Sequence, residues 1–141
     1  MSEIIYNQIK LKEGIDKIAN AVKITIGPKG KNVIIDKGYP LVSNDGGTIA
    51  QAITFKDRTV NMGASLIKAV IQKTSERAGG GRTASAILMQ ELVAKGLVYA
   101  DMGMDMNQMK DGMLEAKDDV IKKLKEMAKK ITTTKEVQQV A

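Results

Sequence analysis

Apolar residues recur at intervals of three and four in four stretches of the chain, and this pattern predicts four long helices. The first stretch ends at the turn pair Gly27-Pro28, and the second ends near Ala78. The third ends at residues 101–103, and the fourth begins after Asp105, a favourable N-cap residue. The positions that define them are Leu11, Ile15, Ile18 and Val22; Val60, Leu66, Ile67, Val70, Ile71 and Thr74; Ala86, Met89, Leu92, Val93, Leu97 and Ala100; and the Met stripe, which comprises Met106, Met109, Met113, Ala116, Val120, Leu124, Met127 and Ile131.

Between the first two predicted helices the pattern changes to short β-branched runs, which predict a hairpin. Residues 32–35 and 41–42 are the two runs, and residues 37–40 form the turn between them. An isolated two-stranded hairpin is marginal in water, so we expect this one to pair with a further strand. Residues 4–6 are either a short strand or an unpaired arm. The expected fold is therefore mainly α, a bundle of about four helices with one small β-hairpin.

Composition adds an expectation about the core. The 141 residues include one Phe, three Tyr, no Trp and nine Met. Such a chain is expected to pack Met, Leu, Ile and Val between helices rather than to form a β-sandwich, and the Met stripe is interpreted as a packed core face. Cysteine and histidine are absent from the sequence, which excludes disulfides, zinc–thiolate sites and catalysis by imidazole or thiol.

Charge and hydropathy bound the partners. The net charge of +6 favours anionic partners, but acidic and basic residues alternate along the chain, as on a solvated helical surface. Apolar runs stay well short of the roughly 20 residues that span a membrane, and the N-terminus lacks a signal-peptide pattern. The sequence therefore predicts a soluble, cytoplasmic protein without a membrane partner.

Three glycines at residues 79–81 directly precede the third helix, and they are the most informative motif. A helix that begins in this way exposes backbone N–H groups, which together with the helix dipole attract phosphate. Tight turns at residues 27–30 and 45–48 complete a predicted nucleotide pocket. Simpler interpretations remain open: the glycines close helices, Asp45 forms an Asx-turn or cap, and Thr25 and Thr83 cap helices. Lys29 and Lys31 are either phosphate neighbours or surface charges.

Several motifs in register resemble those of the GroEL-type (group I) chaperonins. They are Thr25-Ile26-Gly27-Pro28-Lys29-Gly30-Lys31-Asn32-Val33, Asn44-Asp45-Gly46-Gly47, Asn61-Met62-Gly63-Ala64, the glycine loop and Gly103-Met104-Asp105. The resemblance covers almost the whole chain and corresponds to the N-terminal half of the family's equatorial domain. It implies a mostly helical fold that carries much of an ATP site and the ring contacts, with a stem-loop hairpin that pairs with the neighbouring subunit.

The resemblance also implies functions for individual residues. It places an inherited catalytic position at Asp45 and expects ATP as the ligand. The implied nucleotide contacts are Thr25, Ile26, Gly27, Pro28, Asp45, Gly46, Gly81, Arg82 and Thr83. Gly80, however, stands where the family has a metal-binding aspartate, so a Mg²⁺ site and efficient hydrolysis are not expected. Arg82 and Ala84 replace two threonines, Asn44 replaces a lysine, and Arg82 offers a fixed positive charge to phosphate.

Residues 1–141 are thus expected to form a single partial equatorial-type domain without the intermediate and apical domains, either as a fragment or as a short protein. The preferred hypothesis is a chaperonin-related folding module that assembles with itself or with other chaperonin-type subunits and acts on unfolded proteins. The second is an ATPase subunit whose missing half lies elsewhere. The third, a small basic polyanion-binding protein, is least favoured, because aromatics for stacking on nucleic acid are scarce. Exposed apolar surface, including parts of the Met stripe, is also expected.

Overall fold

The computed structural model describes residues 7–140, with the side chain of Val140 left aside, and the predicted segment 4–6 lies outside that range. Its elements are α1 (Gln8–Lys23), β1 (Val33–Asp36), β2 (Pro40–Ser43), α2 (Gly46–Ala52), α3 (Arg58–Ala78), α4 (Arg82–Asp101), α5 (Met106–Met127) and α6 (Thr134–Val140). The mainly α fold with one hairpin is confirmed, and α1, α3, α4 and α5 are the four predicted long helices. The chain divides between Val98 and Tyr99 into two compact units.

One helix was predicted as a turn. Residues 45–48 contain two glycines, which lower helix propensity, yet α2 begins at Gly46. The Asp45 side chain caps this helix by accepting a hydrogen bond of 2.8 Å from the Thr48 N–H. Ile49 and Ala50 of α2 are fully buried. The cap and the buried face together outweigh the low propensity of the glycines.

Two glycines allow α1 and α3 to cross at backbone distance. A Cβ atom added to Gly14 would collide with the Val60 carbonyl oxygen on α3. A Cβ atom added to Gly63 would in turn collide with the Leu11 carbonyl oxygen on α1. Because the loop after α1 and the glycine loop after α3 both start from this pair of helices, the crossing determines where the two loops lie.

The core of the first unit consists of β-branched residues and alanine. Its largest fully buried side chains are Ile18, Ile49, Ile67, Ile71 and Val22, from α1, α2 and α3. The first turns of α4 add Ala86, and β1 adds Ile35. Within residues 7–140 no Met or Leu is fully buried, and the predicted contribution of these residue types is limited to partly buried side chains such as Leu41 and Met89, which pack against the core. Closely spaced helices leave room for compact side chains rather than long ones.

The hairpin pairs β1 with β2 in antiparallel register, with Ile34 opposite Val42 and Ile35 opposite Leu41. Gly38 in the turn has a positive φ of 82°, and its N–H donates to Asp36 Oδ1 over 2.8 Å. Within the described residues the sheet has only these two strands. Pairing with a further strand therefore stays a prediction.

In the second unit, α5 begins as predicted. Asp105 Oδ1 accepts hydrogen bonds of 2.9 Å from the N–H groups of Asn107 and Gln108. The Met stripe, however, is not a packed core face, since α5 has no buried residue and Met127 is 70% exposed. The interpretation as a core face is corrected, and the expectation that parts of the stripe are exposed agrees with the structure. Periodicity identifies an apolar face but not what covers it.

The helix α4 differs from the other long helices, because its apolar residues lie all round its circumference. A helix of this kind is usually enclosed on every side. Among its 20 residues only Ala86 is buried, and Leu88 and Leu92 are more than half exposed. None of the helices in the described range combines the length and apolar character that a bilayer crossing requires.

Candidate functional site

The loop that follows α1 is a compact turn. Its N–H groups at Gly30 and Lys31 donate to the carbonyls of Gly27 and Ile24, over 3.0 and 2.9 Å. Gly27 has a positive φ of 76°, which a side chain would disfavour. A Cβ atom at Gly30 would collide with the Thr25 carbonyl oxygen. The two glycines therefore hold Thr25, Ile26 and Gly27 in a fixed arrangement at the end of α1.

The glycine loop closes one helix and opens the next. Gly79 has a left-handed φ of 68° and ends α3, with its N–H donating to the Ser75 carbonyl over 2.9 Å. Gly81, with φ of 79°, directly precedes α4. As a glycine it has no side chain that could cap the start of this helix. The first N–H groups of this 20-residue helix therefore face the loop without a capping side chain, as an anion site requires.

The starts of α2 and α4 lie against each other. A Cβ atom at Gly46 would collide with Thr83 Oγ1, so glycine at this position allows the two helix ends to meet. Thr83 Oγ1 also lies 3.5 Å from Thr25 Oγ1, whose hydroxyl donates to the Val22 carbonyl over 2.7 Å. The three segments predicted from the glycine and turn motifs thus converge on one place.

An ion pair joins the two helix starts. Arg82 Nη2 lies 2.7 Å from Asp45 Oδ1, and about a third of each side chain is exposed. The other Asp45 oxygen accepts hydrogen bonds of 2.8 Å from both the N–H and the hydroxyl of Thr48. Partial burial alone would raise the pKa of the Asp45 carboxyl, but the Thr48 hydrogen bonds and the Arg82 charge outweigh it and hold the pKa below its usual value. Asp45 is therefore a cap and an ion-pair partner at once.

These segments surround an open cleft of about 310 Å³. Its lining residues are Thr25, Ile26, Gly27, Asn44, Asp45, Gly46, Gly80, Gly81, Arg82, Thr83 and Ala84. All the residues predicted to contact a nucleotide are among them except Pro28. Their role as ligands stays a prediction, although their proximity is now established. Lys29 and Lys31 do not line the cleft, and both are exposed.

A second cleft of about 520 Å³ lies beside the first, with Asp45 and Arg82 in the walls of both. Its other lining residues are Lys37, Gly47, Thr48, Gln51, Ile71, Gln72 and Ser75. Sequence reasoning missed this polar wall. The spacing of Gln72 and Ser75 places them on one face of α3, but no local signal indicates that the hairpin brings Lys37 to the same cleft.

Among the described residues, Asp45 is the one carboxylate that lines this site and could bind a Mg²⁺ ion. In a nucleotide site Mg²⁺ is usually held by one or two carboxylates together with oxygens of phosphate and water. Residues 7–140 contain no group of three or more acidic, His or Cys side chains placed to hold a metal. Asp45 has both oxygens engaged by Arg82 and Thr48, and Gly80 brings no carboxylate. An added Cβ atom at Gly80 would meet nothing within 4 Å. The position therefore has room for a carboxylate side chain, although glycine supplies none.

Comparison with known proteins gives two findings. The model of the TCP-1/cpn60 chaperonin family matches residues 18–141. Among solved structures, the chain is similar to a crystal structure of the chaperonin gp146 from the bacteriophage EL 2 (Pseudomonas aeruginosa) in presence of ATP-BeFx. That similarity has a TM-score of 0.71 and 26% sequence identity, and it covers 88% of this chain and 22% of that chain. The chain thus spans about a fifth of the length of the chaperonin that it matches.

Proposed function

The chain belongs to the TCP-1/cpn60 chaperonin family, and we therefore propose that it is a protein-folding module that assembles with chaperonin-type subunits, its own copies included. In this proposal the cleft at the start of α4 binds ATP but hydrolyses it slowly or not at all. The module works in the cytoplasm on unfolded protein clients. One observation carries the nucleotide part: three separate segments of the chain meet at an uncapped helix N-terminus. In addition, the phage chaperonin to which this chain is similar was crystallised in presence of ATP-BeFx.

The chemistry of the cleft suits phosphate. The N–H groups of the first turn of α4 supply oriented donors, and the helix dipole adds partial positive charge. The Thr83 hydroxyl is a further donor in the wall of the cleft, and Arg82 supplies a permanent charge. ATP would supply the triphosphate group that these donors bind.

Hydrolysis is disfavoured by the state of Asp45. A general base works best with a pKa near the operating pH, whereas the pKa of Asp45 lies below its usual value. Its two oxygens also already interact with Arg82 and Thr48, and these groups compete with an attacking water for the carboxylate. The proposal therefore gives this cleft a binding role.

Exposed apolar surface supports the assembly part of the proposal. Ile34 and Val42 are paired across the hairpin, and they are 72% and 58% exposed. Leu88 and Leu92 on α4 form another exposed apolar pair at helical spacing. Neighbouring exposed apolar side chains of this kind are available for burial in a protein contact. Chaperonin-type subunits are the partners that family membership favours.

Two measurements on the full chain test the proposal. We expect calorimetry to detect ATP binding, and Thr83→Ala to weaken it by about tenfold, because a hydrogen bond to a charged group is lost. Thr54→Ala removes the same hydroxyl from an exposed position outside the cleft and should leave the affinity unchanged. A phosphate-release assay should then detect little turnover.

Light scattering over a range of concentrations tests the assembly part, and a mass that rises above that of the monomer is expected. If the protein stays monomeric alone and when mixed with chaperonin subunits, the assembly part is wrong. If ATP gives no binding signal, the nucleotide part is wrong.

One observation favours the second candidate, a working ATPase subunit completed by another polypeptide. The chain covers only 22% of the chaperonin that it matches, so residues from elsewhere would complete the site. Gly80→Asp is sterically tolerated and restores a carboxylate. The second candidate predicts that this variant binds ATP more tightly with Mg²⁺ than without it. If the variant binds ATP with the same affinity in the presence and absence of Mg²⁺, that candidate is excluded.

A further inference from the structure

The place of Arg82 in the cleft is created by neighbouring glycines. A Cβ atom at Gly47 would lie 3.0 Å from Arg82 Cδ and 3.3 Å from Arg82 Nη1, so glycine leaves room for the arginine side chain to pass. The guanidinium then reaches Asp45 at 2.7 Å. Since both residues line both clefts, the positive charge lies between the start of α2 and the start of α4.

The guanidinium thus places a positive charge beside a carboxylate in the wall of the cleft, as a divalent cation does in many phosphate sites. A divalent cation there would join a protein carboxylate to phosphate oxygens and neutralise their charge. Arg82 already holds the Asp45 carboxylate through its positively charged guanidinium. Its planar fork carries five N–H donors, so donors remain for a phosphate after the contact with Asp45.

The same contacts compete with a metal ion for Asp45. Asp45 Oδ1 faces Arg82, and Oδ2 accepts two hydrogen bonds from Thr48. A Mg²⁺ ion would have to displace the guanidinium and find further oxygen ligands. The described residues offer no acidic cluster for that purpose.

We propose that the cleft binds the polyphosphate group of a nucleotide in its metal-free form, with the Arg82 guanidinium bridging Asp45 and the phosphate in place of a divalent cation. This inference rests on the proposed nucleotide-binding function and goes beyond it by naming the ionic form of the ligand. It makes Arg82 the residue that determines specificity for free ATP over Mg–ATP. Mg²⁺ then competes with the protein for the ligand instead of assisting it.

Calorimetry with ATP and with inorganic tripolyphosphate, each in excess EDTA and in excess Mg²⁺, tests the inference on the full chain. We expect the wild-type protein to bind both probes in EDTA, and more weakly in Mg²⁺. Arg82→Gln should lose about tenfold or more in EDTA, because charge-assisted hydrogen bonds disappear. Arg77→Gln removes the same formal charge from an exposed position on α3 and should change the affinity by less than about twofold.

Arg82→Lys keeps the charge but not the planar fork, and it should fall between the wild type and Arg82→Gln. Arg82→Lys also replaces Arg82→Gln as the test variant if circular dichroism shows that Arg82→Gln is unfolded. Wild-type affinity that stays unchanged or rises with Mg²⁺ would refute metal-free binding while leaving the nucleotide site intact. Equal losses for Arg82→Gln and Arg77→Gln would refute the bridging role. Failure of both probes in both buffers would overturn the proposed nucleotide function itself, and this inference with it.

Discussion

Replacing Gly63 with alanine perturbs one of the two points where α1 and α3 approach each other at backbone distance. The added Cβ atom would collide with the Leu11 carbonyl oxygen and would lie 2.8 Å from the Leu11 carbonyl carbon. Carbon atoms in good contact are about 3.5–4.0 Å apart, so the helices must separate locally by about 1 Å. The obstacle is backbone, which cannot rotate away as a side chain tip would.

Two opposing effects set the magnitude. Alanine is better than glycine in a helix interior by about 1 kcal/mol, which would stabilise the variant. Overpacking in a well-packed interior costs about 1–3 kcal/mol, and a rigid obstacle places Gly63→Ala toward the upper end. The net expectation is a loss of about 2 kcal/mol in the free energy of unfolding.

Gly112→Ala is the matched control. Gly112 lies within α5, and an added Cβ atom would meet nothing within 4 Å. The same chemical change should therefore stabilise the protein by up to about 1 kcal/mol. The two glycine-to-alanine variants are thus expected to shift stability in opposite directions.

Urea titration followed by far-UV circular dichroism measures both effects. With a slope of about 2 kcal/mol per molar urea, Gly63→Ala should lower the midpoint of the transition that includes α1 and α3 by about 1 M. ATP binding should weaken as well, because the crossing positions both loops of the cleft. A midpoint for Gly63→Ala at or above that of the wild type would refute the close-crossing argument.

Three further predictions concern pH, the core and the hairpin. Since the pKa of Asp45 is lowered on folding, its stabilising contribution is present above the unfolded pKa of about 3.9 and is lost as pH falls through the folded pKa. Asp45→Asn should therefore reduce the loss of stability on acidification, measured by circular dichroism. An unchanged pH profile of stability would contradict this prediction. Ile67→Ala should lower the free energy of unfolding by about 2–5 kcal/mol in urea titrations, because Ile67 is fully buried. Leu88→Ala, at a 63% exposed position, should lower it by less than about 0.5 kcal/mol. Similar losses for the two variants would contradict the assignment of Ile67 to the core. Ile34→Lys combined with Val42→Glu should reduce self-association in light scattering without loss of stability, and unchanged association would exclude the hairpin as the contact.

Local signals were sufficient wherever a structure depends on neighbouring residues. Asp105 precedes an apolar period and does cap α5, and the turn after β1 lies where Gly38 allows a positive φ. The same logic missed α2, because Gly46 and Gly47 are poor helix formers in isolation. The burial of Ile49 and Ala50, which stabilises α2, depends on residues distant in sequence.

The candidate site divides in the same way. The glycine loop and the two turn motifs indicated the segments of the cleft, since glycine at a turn has local conformational causes. The Arg82–Asp45 ion pair could not be foreseen, because the two residues are brought together only where the first residues of α2 and α4 meet. Nor did any local pattern indicate the second cleft, whose wall combines Lys37 of the hairpin with α3.

The sequence by itself therefore determined the long helices, the hairpin, the family and the positions of the glycine-containing loops that line the cleft, because periodicity, caps and turns are properties of neighbouring residues. Tertiary structure alone decided which apolar faces are buried: β-branched residues and alanine fill the core, and the Met stripe of α5 remains exposed. It also decided the state of Asp45, whose oxygens are shared between Arg82 and Thr48. Burial and ion pairing depend on distances across the fold, and no local pattern of residues encodes those distances.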